Sequence, residues 1–274
     1  MIFPSNEEAG ISVSFPASPV GKPRQVNFFL RPKPLVTLVD LSAPMVVGMA
    51  TRGYAGLYSQ EMTEEYFALY WAELDMTKLK TPLEMVHATF LIKRVTRSFT
   101  HQMVRYRIGT SFVQESMRFS VQDTAGILVP NEVASDSAAL ERYVEVVTAT
   151  MRAYWEMIDA GGKTEDARSL LPHAITTNLF GQFSLLTLAS IYKQRTCCQA
   201  QEGEWGAVVG AMRKELHKKS EKCAEVLRTP WQEPSALGCG FGASFDRPCI
   251  HQAAFDRNAS QLFQRMAQHQ GETT

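Results

Sequence analysis

RYRIGTSFVQESMRFS, residues 105–120, carries Arg105, Arg107 and Arg118 in a chain whose 28 Lys plus Arg are matched by 28 Asp plus Glu. Positive charge concentrated in one stretch, without a broad basic field around it, points to a local anion. In the second half of the stretch the residues alternate. Gln114, Ser116, Arg118 and Ser120 would share one face of an extended segment, and Met117 and Phe119 the other. The apolar pair is then predicted to pack inward while an amide, two hydroxyls and a guanidinium converge outward. Serine donates single hydrogen bonds and arginine a bidentate pair, a set that suits a phosphate or a nucleobase edge. The same alternation also fits an ordinary half-buried strand with a solvated face.

Just upstream, TRSFTHQMVRYR on a helix would set Arg97, His101 and Arg105 at i, i+4 and i+8, with Gln102 three residues before Arg105. Stacked cations repel, so this stripe is either a solvated basic face or the wall of an anion site. Joined to the strand, it predicts Arg105, Arg107 and Arg118 around one dianion. Further on, EDARSLLPH (165–173) contributes Arg168. LFGQFSLLTLASIYKQ (179–194) has the composition of a mostly buried helix. It leads to Arg195, with Leu188 and Ile191 on the same face. A guanidinium on an apolar face needs a partner or a ligand; alternatively it neutralises the helix C-terminus.

The rest of the chain narrows the class. With 274 residues, 45% of them hydrophobic, it can bury an enzyme-sized core. The balanced charge argues against non-specific nucleic-acid binding. No apolar run approaches the length of a membrane span, and MIFPSNEEAG lacks the regions of a signal peptide, so a cytoplasmic protein with no membrane partner is expected. The five cysteines form no CxxC pair and are expected as reduced thiols. Cys239, Cys249 and His251 lie close together in GCGFGASFDRPCIHQ, but a structural zinc site needs four ligands and no metal is expected.

Along the chain, residues 1–32 carry five prolines and read as an irregular arm. LVTLVDL (35–41) reads as a buried strand, followed by a short helix capped by Ser42. TEEYFALYWAEL (63–74) reads as a helix opened by Thr63, and VHATFLIKRV (86–95) as a strand. Residues 137–159 and 204–227 read as amphipathic helices. Residues 229–274 read as an irregular tail. A single mixed α/β domain, helix-rich, follows. Among motifs, GxGxxG, GxxxxGK[ST], HExxH and GxSxG are missing from the sequence, so any catalysis has to be sought around the arginines.

RYRIGTSFVQESMRFS resembles the signature of flavin-dependent thymidylate synthases: Arg-His-Arg, then after seven or eight residues Ser, any residue, Arg and an aromatic. TPLE (81–84) resembles the family's Thr-Pro-Phe-Glu, EDARSLLP its Ala-Arg-x-x-Leu-Pro, and QRTCCQAQEGEW its Leu-Arg segment ending in Ala-Gln-Trp-Glu. ALERYVEVV stands where the family has a helix. The pieces cover roughly residues 33–228 in the family's order. The resemblance implies an α/β homotetramer with FAD at subunit interfaces. It implies methylation of uracil C5 in a uridylate nucleotide, with dUMP the default, using methylenetetrahydrofolate and NADPH. It further implies nucleotide contacts from Gln102, Arg105, Gln114, Ser116, Arg118, Arg168 and Arg195, with Arg195 as the activating catalytic group. Flavin contacts would come from Thr81, Arg105, Tyr106, Arg107, Gln114 and Ser190.

The sequence departs from the family where flavin contacts are expected. Tyr106, Leu79 and Met85 replace family histidines, and Ser184, Leu185, Leu186 and Ser190 stand where the family has an Asn-Ala-Arg and a further asparagine. An aromatic Tyr106 can still stack on a flavin or adenine ring, so a flavin with altered contacts is expected. Two alternatives remain in view: a UMP-specific C5-methylase of nucleoside antibiotic or modified-nucleotide biosynthesis, and a non-catalytic nucleotide-binding homologue.

Overall fold

RQVNFF alternates as a strand with one face in a core must, and in the computed structural model Arg24–Phe29 is a strand with Val26 and Phe28 fully buried. The structure describes residues 10–57, 63–77, 79–198, 203–232, 249, 251, 253–257 and 260. Strand β1 (Ile11–Phe15) pairs antiparallel with β2 (Arg24–Phe29), Val13 opposite Val26. β2 in turn pairs parallel with β6 (Thr124–Leu128), Phe28 opposite Ile127. The irregular arm expected over residues 1–32 is therefore corrected. Pro16, Pro19, Pro23 and Pro32 lie outside both strands, where they cost no ladder hydrogen bond.

A second sheet has the order β3-β4-β7-β5, from Leu35–Leu41, His87–Thr96, Thr176–Ser184 and Thr110–Gln114. β3 is an edge strand, which is why LVTLVDL is a strand but not a buried one: Leu35 and Val39 are half exposed. By packing, the chain divides into two compact units. The first comprises Met1–Thr37, Phe90–Arg107 and Ser111–Gly181, and the second Leu38–Thr89, Ile108–Thr110 and Gln182–Thr274.

The core of the first unit is built on β2, β6 and helix α5 (Ser137–Asp159). α5 delivers Val147, Met151, Tyr154 and Trp155 at helical spacing against Val26, Phe28, Ala125 and Ile127. Asp136 caps α5 by accepting from the Ala138 and Ala139 N–H groups. The buried polar tips find partners at Gln122, whose N–H donates to the Tyr154 hydroxyl and whose carbonyl accepts from Trp155 Nε1 at 2.9 Å. Gly126 on β6 is set by space: a Cβ there would lie 2.4 Å from Thr176 Oγ1 and 2.9 Å from the Phe29 ring. Beneath this core Arg24 forms a fork to Asp159, with both N···O distances 2.7 Å.

The second unit is mainly helical: α1 (Met45–Gly53), α2 (Glu64–Met76), a 3₁₀ turn over Thr81–Met85, α7 (Leu185–Arg195), α8 (Gly203–Lys219) and α9 (Glu221–Glu225). Thr63 caps α2 through the Tyr66 N–H, as expected. Ser42 does not cap α1; its hydroxyl accepts from the His87 N–H at 2.8 Å and its own N–H donates to the His87 carbonyl, and α1 starts after Pro44 without a side-chain cap. The apolar run 179–194 is not one helix. Ser184 ends β7, and its hydroxyl caps α7 through the Thr187 N–H. The helix expected over 204–227 breaks at Ser220, which is extended and caps α9. Much of the expected tail, including Cys239, lies outside the described residues. Among the described residues no group of three or more His, Cys, Asp or Glu could hold a metal. Among them too, no helix is long and apolar enough to cross a membrane.

Candidate anion-binding site

Thr96 is extended, and its hydroxyl accepts from the Phe99 N–H, which starts helix α3 (Arg97–Met103) at the end of β4. The Arg97 and Ser98 N–H groups donate to the carbonyls of Ile175 and His173. These bonds bring the LLPH turn beside the exposed side of α3. The chain leaves β5 at Gln114, whose side-chain amide donates to Thr100 Oγ1 at 2.9 Å. The result is a cavity of about 730 Å³ within the first unit. Its walls carry Gln114, Ser116 and Arg168, all expected nucleotide residues, together with Arg97, His101, Glu115, Met117, Glu165 and His173.

The extended polar face expected over QESMRFS is corrected. β5 stops at Gln114, and residues 116–120 form a turn in which the Phe119 and Ser120 N–H groups donate to the Ser116 carbonyl. The turn sends Met117 into the core and leaves Phe119 exposed, so the two do not share a buried face. Arg105, Arg107 and Arg118, expected around one dianion, are not among the residues lining this cavity. α3 ends at Met103, so Arg105 falls past its last turn, exposed, with its Nε donating to the His101 carbonyl. Gln102, Tyr106 and Arg107 are likewise not among the lining residues. Arg118 reaches the rim through Glu165, at 3.0 Å.

The basic residues in the walls are Arg97, His101, Arg168 and His173. Burial and then the charge of Arg168 push the Arg97 guanidinium pKa down, with Glu115 partly offsetting both. His101 is pushed below its ordinary 6.5 by burial, then by Arg97, His173 and Arg105. The spacing of Arg97 and His101 was visible in the sequence. His173 and Glu165 carried no signal of their own, because only the fold brings them to α3.

In the second unit a smaller cavity of about 210 Å³ is lined by Ser190, Leu186 and Lys193 of α7, by Lys80 and Leu83 next to Thr81, and by Asp75 and Arg228. Arg228 is paired with Asp75 at 2.8 Å. Gly109, at φ +65, crosses close to α7, and a Cβ there would lie 2.5 Å from Ser184 Oγ. Arg195 ends α7 with its guanidinium 4.1 Å from the ring centroid of Trp205, which is fully buried.

The Arg118–Glu165 contact predicts a binding effect of known sign. Glu165 engages the Arg118 guanidinium, so Glu165→Gln is expected to tighten binding of inorganic phosphate at this rim. Both side chains are about half exposed, which limits the gain to about fivefold, the equivalent of about 1 kcal/mol. Equilibrium titration with phosphate reads this directly; an unchanged or weaker affinity would show that Arg118 does not need releasing.

These features define a mixed α/β protein with a cationic cavity of nucleotide size. The family model described as thymidylate synthase complementing protein matches residues 47–220, and the chain belongs to that family. It is 33% identical over 143 residues to a flavin-dependent thymidylate synthase of Pyrococcus furiosus, an alignment covering 51% of this chain and 58% of that one. It is 31% identical over 153 residues to the enzyme of the same name from Nitratidesulfovibrio vulgaris, covering 53% of this chain and 62% of the relative. The chain thus spans about 60% of the length of these curated relatives. Among solved structures it resembles the UMP/dUMP methylase PolB of Streptomyces cacaoi bound with 5-Br dUMP, with TM-score 0.60 and 20% identity over 72% of this chain and 95% of that one. It also resembles the same protein bound with 5-Br UMP, with TM-score 0.60 and 19% identity. At these identities the structural likeness establishes a shared fold.

Proposed function

We propose that the chain is a flavin-dependent methylase of uracil C5 in a uridylate nucleotide, dUMP by default. The observation that carries this reading is the cavity that joins Gln114 and Ser116 of the signature to Arg168, in a chain of this family. Arg168 offers a bidentate fork to the 5′-phosphate and the amide and hydroxyl offer single hydrogen bonds. Gln102, Arg105, Arg118 and Arg195 complete the nucleotide contacts in this reading, and the active site is assembled within a cytoplasmic homotetramer. Exposed Leu35 and Val39 on edge strand β3 suit such an assembly.

The 210 Å³ cavity supports a flavin in part. Its Lys80, Lys193 and Ser190 suit phosphate and ribityl oxygens, and Leu83, Leu186 and Ala189 suit a ring face. Its volume is below that of a site enclosing a drug-sized ligand, which fits an FAD shared between subunits. Thr81, Arg105, Tyr106, Arg107, Gln114 and Ser190 would hold it. In this chemistry methylenetetrahydrofolate supplies the one-carbon unit, reduced flavin the hydride that completes the methyl group, and NADPH the reducing equivalents. Arg195 stabilises negative charge building on the N3/O2 side of uracil as C5 attacks, without losing its own proton. No cysteine nucleophile is needed.

The test is spectroscopic. Purified protein loaded with FAD is expected to be yellow and to bleach with NADPH; a protein that takes up no FAD overturns the reading. A second reading, UMP as substrate, is favoured by the fold relative that carries 5-Br UMP as well as 5-Br dUMP. The departures at Leu79, Met85 and Tyr106 suit a changed task. Competition between dUMP and UMP for turnover separates the two.

A further inference from the structure

The 730 Å³ cavity has more cationic capacity than Arg168 and its neutral neighbours supply. Arg97 and His101 stand one turn apart on α3, and the His101 and His173 rings meet edge to face, with centroids 5.3 Å apart at 84°. His101 is faced by Arg97 on its own helix, by Arg105 beyond that helix and by His173 on the turn before β7, all of which disfavour its charged form. Arg168 faces Arg97. The two acids in the wall have other partners: Glu115 accepts from the Asn178 amide at 2.9 Å and Glu165 holds Arg118. Glu115 offsets part of the repulsion at Arg97, and an incoming anion would relieve the rest.

We propose that His101 and His173 determine specificity in this cavity: with Arg97 and Arg168 they select a dianionic phosphate monoester, and the site takes up a proton as that phosphate enters. The inference rests on the uridylate reading above but goes beyond it, because neither histidine belongs to the residues assigned to the nucleotide there. In the empty cavity burial, and then the neighbouring Arg97, His173 and Arg105, favour the neutral form of His101. A dianion reverses the sign of the field and favours the imidazolium. Between the empty-site and occupied-site values, binding is coupled to protonation. The sign follows: affinity falls as pH rises through that window, by up to about tenfold per pH unit for one proton. A monoanionic phosphodiester gains less than a monoester from the same charges.

The experiment is calorimetric titration of the full chain with dUMP and, separately, with inorganic sulfate, from pH 6.5 to 8.5 in two buffers of different ionisation enthalpy. Sulfate stays a dianion across this range, so its pH dependence reports the protein alone, free of the phosphate's own ionisation near 6. The expected result is net proton uptake with both ligands, lost in His101→Gln and reduced in His173→Gln, with far-ultraviolet circular dichroism unchanged. Binding of dUMP without proton uptake, or with uptake unaltered in both variants, overturns the histidine proposal while leaving the uridylate reading standing. Histidine-dependent uptake with sulfate but no binding of dUMP, nor of UMP titrated in its place, removes the uridylate reading while the dianion site stands. If neither ligand binds, both fall.

Discussion

Arg195→Ala is expected to lower turnover about 10²- to 10³-fold, the usual cost of removing one preorganised donor from developing negative charge. The fold should survive. Arg195 is the last residue of α7, and its guanidinium lies over the face of Trp205. Losing that cation–π contact costs about 1 kcal/mol, small beside the ~5–15 kcal/mol of a typical domain. Arg195→Lys keeps the charge but not the planar fork, so it should recover only part of the rate. Single-turnover methyl transfer beside a thermal melt separates chemistry from folding. Unchanged turnover in Arg195→Ala would remove the residue from its assigned role.

Arg24→Ala is expected to destabilise the first unit by roughly 3 kcal/mol. That is the lower end of the range for breaking a buried pair. The Arg24 side chain is only 6% exposed, but Asp159 is 35% exposed and water can replace part of what it loses. The change also leaves Asp123, 3.6 Å from Arg24 Nε, without its neighbouring charge, and removes the guanidinium that lies over Trp155. The hydrogen bond from Arg24 holds the Asp159 carboxyl below its ordinary value of about 3.8. The stability linked to that carboxylate is therefore present above 3.8 and is lost as pH falls through the folded value. Urea denaturation at neutral pH and near pH 3 should accordingly show the variant's deficit narrowing in acid. A deficit below about 1 kcal/mol at neutral pH would show the pair to be energetically neutral.

The fold was readable where one periodicity ran without interruption. Residues 137–159 form a single helix at the expected bounds because Val147, Met151 and Trp155 recur on one face and Asp136 supplies a cap. It was unreadable where an apolar run changed period partway. In 179–194 the alternation of Leu179, Gly181 and Phe183 belongs to β7 and the spacing of Leu185, Leu188 and Ile191 to α7, and one serine marks the change. The alternation in QESMRFS was equally real as a pattern, but Ser116 turns the chain before a strand can use it.

The site divides in the same way. Gln114, Ser116 and Arg168 meet in one cavity as the motif order suggested, and Arg97 and His101 are visible at i and i+4 on α3. His173 and Glu165 come from a turn and a short helical segment more than sixty residues later in the chain. Nothing local announces their approach. The basic residues that line the cavity, Arg97, His101, Arg168 and His173, all lie outside RYRIGTSFVQESMRFS.

The most direct measurement is tritium release from uracil C5. FAD-loaded protein given methylenetetrahydrofolate, NADPH and [5-³H]dUMP or [5-³H]UMP is expected to release tritium from at least one nucleotide and to yield its 5-methyl product. No release from either nucleotide, by protein that binds FAD and uridylate, would contradict the assignment.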